Sequence, residues 1–161
     1  IDLLAELRRT KKMSPLGVFE DESFEFFFEP ASRMSVSRAD ISALAQAKSA
    51  NYCGQLILLR KYGVPLDRIK KLYLSGGFAN YINVENAKKI GFIPNVSTDQ
   101  IEKVGNASLE GATIMLVSRK MRKLIEKVVG QIEHVELETT KDFFEIFVEG
   151  CMFNPMTTSL K

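Results

Sequence analysis

The spacing of apolar residues divides the chain into short helical and extended segments. Ile1, Leu4 and Leu7 fall on one side of a helix that closes in the basic cluster Arg8, Arg9, Lys11 and Lys12. Such charges suit the negative end of a helix dipole. In Phe24-Glu25-Phe26-Phe27-Phe28-Glu29 the phenylalanines at 24, 26 and 28 share one face and both glutamates the other. That alternation predicts a half-buried strand, stopped by Pro30. Ser37-Arg38-Ala39-Asp40 has the form of a capping box and opens the longest helix, which runs to Tyr62 and stops at Gly63. Ala43, Ala47, Ala50 and Gly54 form a small-residue stripe along it, where another backbone can come close.

Beyond Gly63 the pattern predicts a strand over 70–74, a helix over 84–90 stopped at Gly91, and a short strand over 101–104. A helix then runs from the turn Gly105-Asn106-Ala107-Ser108 to Arg119, and another spans 121–129 up to Gly130. A strand over 135–137 and a last helix over 141–148 complete the reading, with Phe143, Phe144 and Phe147 on one face of that helix.

The order strand, glycine turn, helix therefore occurs twice, at Ser75-Gly76-Gly77 and at Gly105-Asn106. If the two strands are parallel neighbours, both turns emerge at the carboxyl edge of one sheet, where open α/β sheets bind ligands. Glycine has no Cβ, so a ligand can lie against the main chain itself, and nearby helix N-termini favour an anion. A tight turn into a packed helix accounts for the paired glycines equally well. The segment is neither a G-x-x-x-x-G-K-[ST] loop nor a G-x-G-x-x-G fingerprint.

Composition narrows the classes. The 161 residues suffice for one domain, and 26% charged with 45% hydrophobic residues is an ordinary globular balance. The formal charge of +2 gives no argument for nucleic acid or membrane as partner, and no apolar run is long enough for a transmembrane span. Cys53 and Cys151 stand far apart in no metal-ligand spacing, so a reducing cytoplasm is the simplest compartment. The chain opens inside a helical pattern and without an initiator methionine, which implies a piece of something longer.

Three stretches taken together, SRADISALAQAKSANYCGQLILLRKYGV, IKKLYLSGGFANYINVENAKKIGFIP and VGNASLEGA, resemble one family over nearly the whole chain. This is the C-terminal ATPase region of the reductive activators of corrinoid proteins, iron–sulfur proteins that include the activating enzymes of corrinoid-dependent methyltransferase systems. The resemblance implies an α/β, ribonuclease-H-like lobe of the superfamily of acetate and sugar kinases, heat-shock chaperones and actin, with a mixed sheet and flanking helices. Residues 1–161 would be a single C-terminal lobe.

By the same resemblance Ser75, Gly76, Gly77 and Phe78 would line an ATP pocket, with Phe78 alternatively a core anchor beneath the turn. Lys48, with Gln46, would face the nucleotide from the long helix, unless Lys48 merely extends to solvent. Gly105 and Asn106 would border the site, Asn106 and Ser108 also being natural helix caps. Catalytic residues, the Mg-positioning acids and the ferredoxin-like iron–sulfur domain would lie upstream, so no catalytic or metal-ligating residue is expected here. The implied partners are a corrinoid protein, the upstream lobe and the ferredoxin-like domain, with a homodimer possible.

Two other readings compete. The chain could be a lobe of another superfamily ATPase or kinase, including the activators of radical dehydratases. It could equally be a non-enzymatic interaction module whose glycine turns are structural. His134, the single histidine, reads as a surface residue of the 135–137 strand region, and Glu133, Glu136 and Glu138 as its solvated face.

Overall fold

The computed structural model describes residues 1–29, 31 and 33–156. Helix α1 (Asp2–Arg9) buries Leu4, Ala5 and Leu7. Its Arg8 ties the two ends of the chain together, donating from Nε to the Phe153 carbonyl at 3.1 Å and from Nη1 to the Met13 carbonyl at 2.8 Å. An antiparallel ribbon follows, β1 (Glu25–Glu29) against β2 (Met34–Ser37), with Phe26 opposite Val36. The second strand was not expected, because four residues are too few for alternation to stand out; its neighbour defines it.

The ribbon overhangs the core. Of the three phenylalanines expected inside, only Phe26 packs inward, its ring 5.8 Å from that of Phe19. Phe24 is 78% exposed beneath the Arg38 guanidinium, and Phe28 is 41% exposed. A two-stranded ribbon has no further layer to cover its far end, so periodicity alone overstated its burial.

Helix α2 (Arg38–Lys61) is the spine of the lobe. Its capping box forms as expected: Asp40 N–H donates to Ser37 Oγ at 3.1 Å, and Ser37 N–H to Asp40 Oδ2 at 2.9 Å. One side of α2 packs on α7 (Phe143–Cys151), burying Tyr52, Cys53, Leu56 and Ile57 with Ile146. The last carbonyls of a helix have no intrahelical partner, and α2 supplies donors toward that end of α7. Ser49 Oγ donates to the Phe147 carbonyl, and Lys48 Nζ to the carbonyls of Gly150 and, at 2.8 Å, Met152. Tyr52 Oη adds a 2.8 Å bond to Glu149.

The helices approach closely at Gly150, where an added Cβ would stand 2.6 Å from Ser49 Oγ and 3.1 Å from Ser49 Cα. The stripe expected to permit close approach lies elsewhere: Ala43, Ala47 and Ala50 are exposed, and only Gly54 has a neighbour, Leu137 at 3.8 Å. On α7, Phe143 and Phe147 pack inward, while Phe144, a turn of about 100° away, is 73% exposed.

The strand expected over 135–137 does not form; a 3-10 turn occupies Leu137–Thr139. Alternation still holds for side chains, with Val135 and Leu137 against the α2–α7 core and His134 and Glu136 outward. No strand edge accompanies the segment, so its backbone has nothing to pair with.

The second half begins with β3 (Leu72–Leu74), followed by the single-turn helix α3 (Gly77–Tyr81) and α4 (Val84–Lys89). Strand β4 (Ile101–Lys103) pairs with β3 in parallel, Leu72 opposite Ile101 and Leu74 opposite Lys103. Leu72, Leu74 and Ile101 rest on a small core of Ile82, Ala87 and Ile93. Helices α5 (Ala107–Val117) and α6 (Arg119–Val129) form a hairpin broken at Ser118, and neither contains a buried residue. No helix among the described residues is long and apolar enough to cross a membrane.

Two outcomes test the α2–α7 contact. Gly150→Ala forces Ser49 or the helix backbones apart and should cost about 1–3 kcal/mol in urea unfolding. Burial lowers the pKa of Lys48 from 10.5 to about 8. Between those values the unfolded chain keeps a proton that the folded chain has released, so Lys48 contributes stability that rises with pH. Tyr52 and Cys53, both raised chiefly by burial, act in the opposite direction. Comparison with Lys48→Met isolates the lysine: wild type should gain about 1–3 kcal/mol on the variant between pH 8 and 10.5. A constant difference would show that the ammonium is not desolvated.

Candidate functional site

The parallel register of β3 and β4 sets the two glycine turns side by side. Val104 N–H donates to the Leu74 carbonyl at 2.9 Å, and one residue further the turns are joined directly. The Gly105 carbonyl accepts from Gly76 N–H at 2.7 Å and from Ser75 Oγ at 3.2 Å. Ser75 Oγ also receives the Ala107 N–H at 3.3 Å, and Asn106 Oδ1 caps α5 by accepting from Leu109 N–H at 3.0 Å. One serine and one carbonyl thus lock both turns into a single unit.

The two glycines of the first turn differ in what the fold asks of them. Gly76 sits at φ 101°, ψ 164°, a conformation essentially reserved for glycine. Gly77 opens α3 with no positive φ. A Cβ at Gly76, Gly77 or Gly105 would meet nothing within 4 Å. The chain's own conformation therefore requires glycine at 76, whereas at 77 neither conformation nor packing does, and the main chain there is left bare toward the outside.

A cavity of about 320 Å³ adjoins the first turn, at the small end of the roughly 300–1,000 Å³ typical of ligand clefts. Ser75, Phe78 and Ala79 line one side, Phe92 and Pro94 another, and Asn51 and Gln55 of α2 a third. Phe78 is 64% exposed and meets Phe92 with ring centroids 5.8 Å apart, tilted by 59°. It is a wall of this cavity; the alternative of a core anchor beneath the turn is corrected by that exposure.

Asn51 Nδ2 donates to the Phe92 carbonyl at 2.8 Å, and Gln55 Nε2 approaches the same oxygen at 3.5 Å. Gln55 Oε1 is buried and has no hydrogen-bond partner. These two residues were missed in the sequence. Their signal was there: two amides one helical turn apart, within a segment otherwise apolar or small.

Lys48 and Gln46 do not join this site. Two residues apart on a helix, they point roughly 200° away from each other. Lys48 is fully buried at the end of α7, neither at the glycine turns nor extended to solvent. Gln46 is exposed, donates to Ser42 Oγ at 3.4 Å, and borders a separate cavity of about 450 Å³ with Leu16, Val18 and Cys151.

His134 is exposed beside a cavity of about 690 Å³ at the far end of α2. The cations there are compensated, Arg60 by Asp142 at 2.6 Å and Lys61 by Glu133. Among the described residues no three His, Cys, Asp or Glu side chains could share a metal ion, and both cysteines are free, Cys53 buried and Cys151 partly so. The described residues of this lobe therefore do not fit an iron–sulfur cluster.

The lobe is α/β, with two joined glycine turns at the carboxyl edge of a parallel strand pair. The chain belongs to the family described as the C-terminal domain of RACo, the ASKHA domain, which it matches over residues 1–160. It is similar to the corrinoid activation enzyme RamQ of Eubacterium limosum, 30% identical over 118 residues, covering 73% of this chain and 20% of that protein. It is also similar to the solved structure of a reductive activator for corrinoid, iron–sulfur protein, with a TM-score of 0.81 and 27% identity. That match covers 96% of this chain and 27% of the other. The chain thus spans only about a quarter or less of the relatives it matches.

The contrast between the two glycines is measurable. Gly76→Ala should lose about 1–3 kcal/mol of stability, the cost of holding a side chain in a disfavoured backbone region. Gly77→Ala, at the start of a helix and in open space, should change stability by less than about 1 kcal/mol and toward stabilisation. Equal losses in chemical denaturation would mean that both positions serve the turn.

Proposed function

We propose that this lobe supplies the adenosine half of the ATP site in a reductive activator of corrinoid proteins. The observation that carries the reading is the bare main chain of Gly77, exposed where neither the chain's conformation nor its packing requires glycine. Kinship with corrinoid activators supports the protein class. The nucleotide's base would lie against the Phe78 and Phe92 rings. The sugar and the adjoining phosphate would cross Ser75, Gly76 and Gly77, with Asn106 and Gly105 closing the far side.

The intact protein would bring an upstream lobe carrying the remaining phosphate contacts and the acidic residues that position Mg. Reduction of a Co(II) corrinoid to Co(I) is strongly uphill, and the electron would come from an iron–sulfur domain outside this lobe. What these residues contribute is a conformational difference: ATP held between two lobes favours their closed arrangement only through contacts that the open one lacks. The main chain at Gly77 and the aromatic wall are this lobe's share of those contacts.

Calorimetric titration of the intact protein with ATP tests the proposal. Wild type should bind saturably. Gly77→Val places two methyl groups where the nucleotide would lie and should weaken affinity at least about tenfold, a loss of about 1.4 kcal/mol. Its thermal unfolding midpoint should stay within about 2 °C of wild type, since nothing in the fold meets the new side chain. Absence of saturable binding, or unchanged affinity in the variant, would refute the nucleotide site and leave the turns as purely structural.

A further inference from the structure

Helix α6 is built against its own stability. Its eleven residues hold Arg119, Lys120, Arg122, Lys123 and Lys127 against one acid, Glu126. All five cations are exposed, and among the described residues none of them forms an ion pair. Arg119 and Lys120 lie in the first turn, at the positive end of the helix dipole, where no acid accompanies them. Arg119 with Lys123, and Lys123 with Lys127, are like charges at i,i+4, an unfavourable spacing. Only Arg122 and Glu126 are opposite charges at that spacing. A helix needing nothing but solvent would not gather its charge this way.

The cations share one face. Met121, Leu124, Ile125 and Val128 turn to the opposite side, where with Gly111, Ile114 and Met115 of α5 they line an apolar seam. The basic face is thereby directed away from α5, the helix against which α6 packs. The formal charge of +2 for the whole chain is more than accounted for by this single helix. Helix α5, eleven residues or about 16 Å long, leads from the Ser75–Gly105–Asn106 network to Ser118, which caps α6 by accepting from Met121 N–H at 3.2 Å. The basic face therefore stands at one end of α5, whose other end borders the candidate site.

We infer that the outer face of α6 is a docking surface for an acidic protein partner. Resting on the reading given under Proposed function, that partner is the corrinoid protein, which would carry a complementary cluster of carboxylates. Carboxylates facing Arg119, Lys120 and Lys123 would relieve the repulsion within the helix, so the unpaired charge becomes an asset only in the complex. Attraction of this kind steers association and weakens with salt.

The test uses the intact protein and a corrinoid protein from the same organism in its Co(II) form, with association followed by biolayer interferometry at 50 and 300 mM salt as chosen conditions, about a 14 Å against a 6 Å screening length. Lys120→Glu/Lys123→Glu/Lys127→Glu should weaken association at least tenfold at low salt and flatten its salt dependence. ATP affinity should stay unchanged in that variant. The Lys→Arg triple variant, which keeps the charge, should bind as wild type, and the unchanged ATP affinity of the charge-reversed variant shows that its loss is not unfolding. Unchanged association in the charge-reversed protein overturns the proposal. So does a finding that the reversal abolishes binding to heparin or to phosphatidylserine vesicles while leaving the corrinoid protein bound. A wild type that never associates with the corrinoid protein refutes this surface together with the partner. Failure of ATP to bind, with salt-dependent association intact, refutes the nucleotide reading alone.

Discussion

The ammonium of Lys48, buried between α2 and α7, sets how the lobe is assembled, because the lysine's carbonyl partners lie just where α7 ends. Removing a cation from water is costly, and three features here offset the loss. The Gly150 and Met152 carbonyls accept its protons, the negative end of the α7 dipole faces it, and the rings of Tyr52 and Phe153 lie 5.8 and 5.6 Å away. The offset is incomplete. A pKa lowered from 10.5 to about 8 corresponds to roughly 3 kcal/mol still lost by keeping the charge. A buried ion tolerates few arrangements, and with the close approach of Ser49 to Gly150 this contact favours a single register of the two helices.

With α7 held on one side, the other side of α2 is free to serve the second half of the chain. Asn51 reaches the Phe92 carbonyl and Gln55 lies beside it, which places the helix along the cavity next to the Gly76 turn. The turns themselves are rigid for a different reason. The Gly105 carbonyl collects two donors from the neighbouring turn, and the Ser75 hydroxyl returns a bond to the start of α5. One helix thus connects a charge-locked core to a preorganised main-chain surface, and α5 extends that surface outward to the basic helix α6. Kinship with activators that act on corrinoid proteins gives this arrangement its setting.

The family, the fold class and the two strand–turn–helix units were legible in the chain. So was the capping box at Ser37, since all of its interactions lie within four residues. The second glycine unit was read correctly because turn chemistry is local: Asn106 caps whatever helix follows it. The roles given to Lys48 and Gln46 were not legible, because sequence places a residue on a helix without saying what the helix meets. Lys48 finds its partners about a hundred positions away, on α7. Gln55 is not legible for the same reason: its place at the cavity comes from Phe92, which lies 37 positions away.

Local free energies explain the division. Glycine at 76 could be read as a turn because its preference for positive φ belongs to the residue itself. The bareness of Gly77 could not, since it depends on which side chains the rest of the chain fails to place nearby. The 135–137 segment shows the same limit from the other side. Its alternation determined which side chains face inward, but a strand needs a second backbone, and the fold offers none there. Sequence by itself settled which backbone each short segment prefers and which faces are apolar. Tertiary structure decided which face is covered, which cation is buried and which glycine stands open, because each of those depends on neighbours that are remote along the chain.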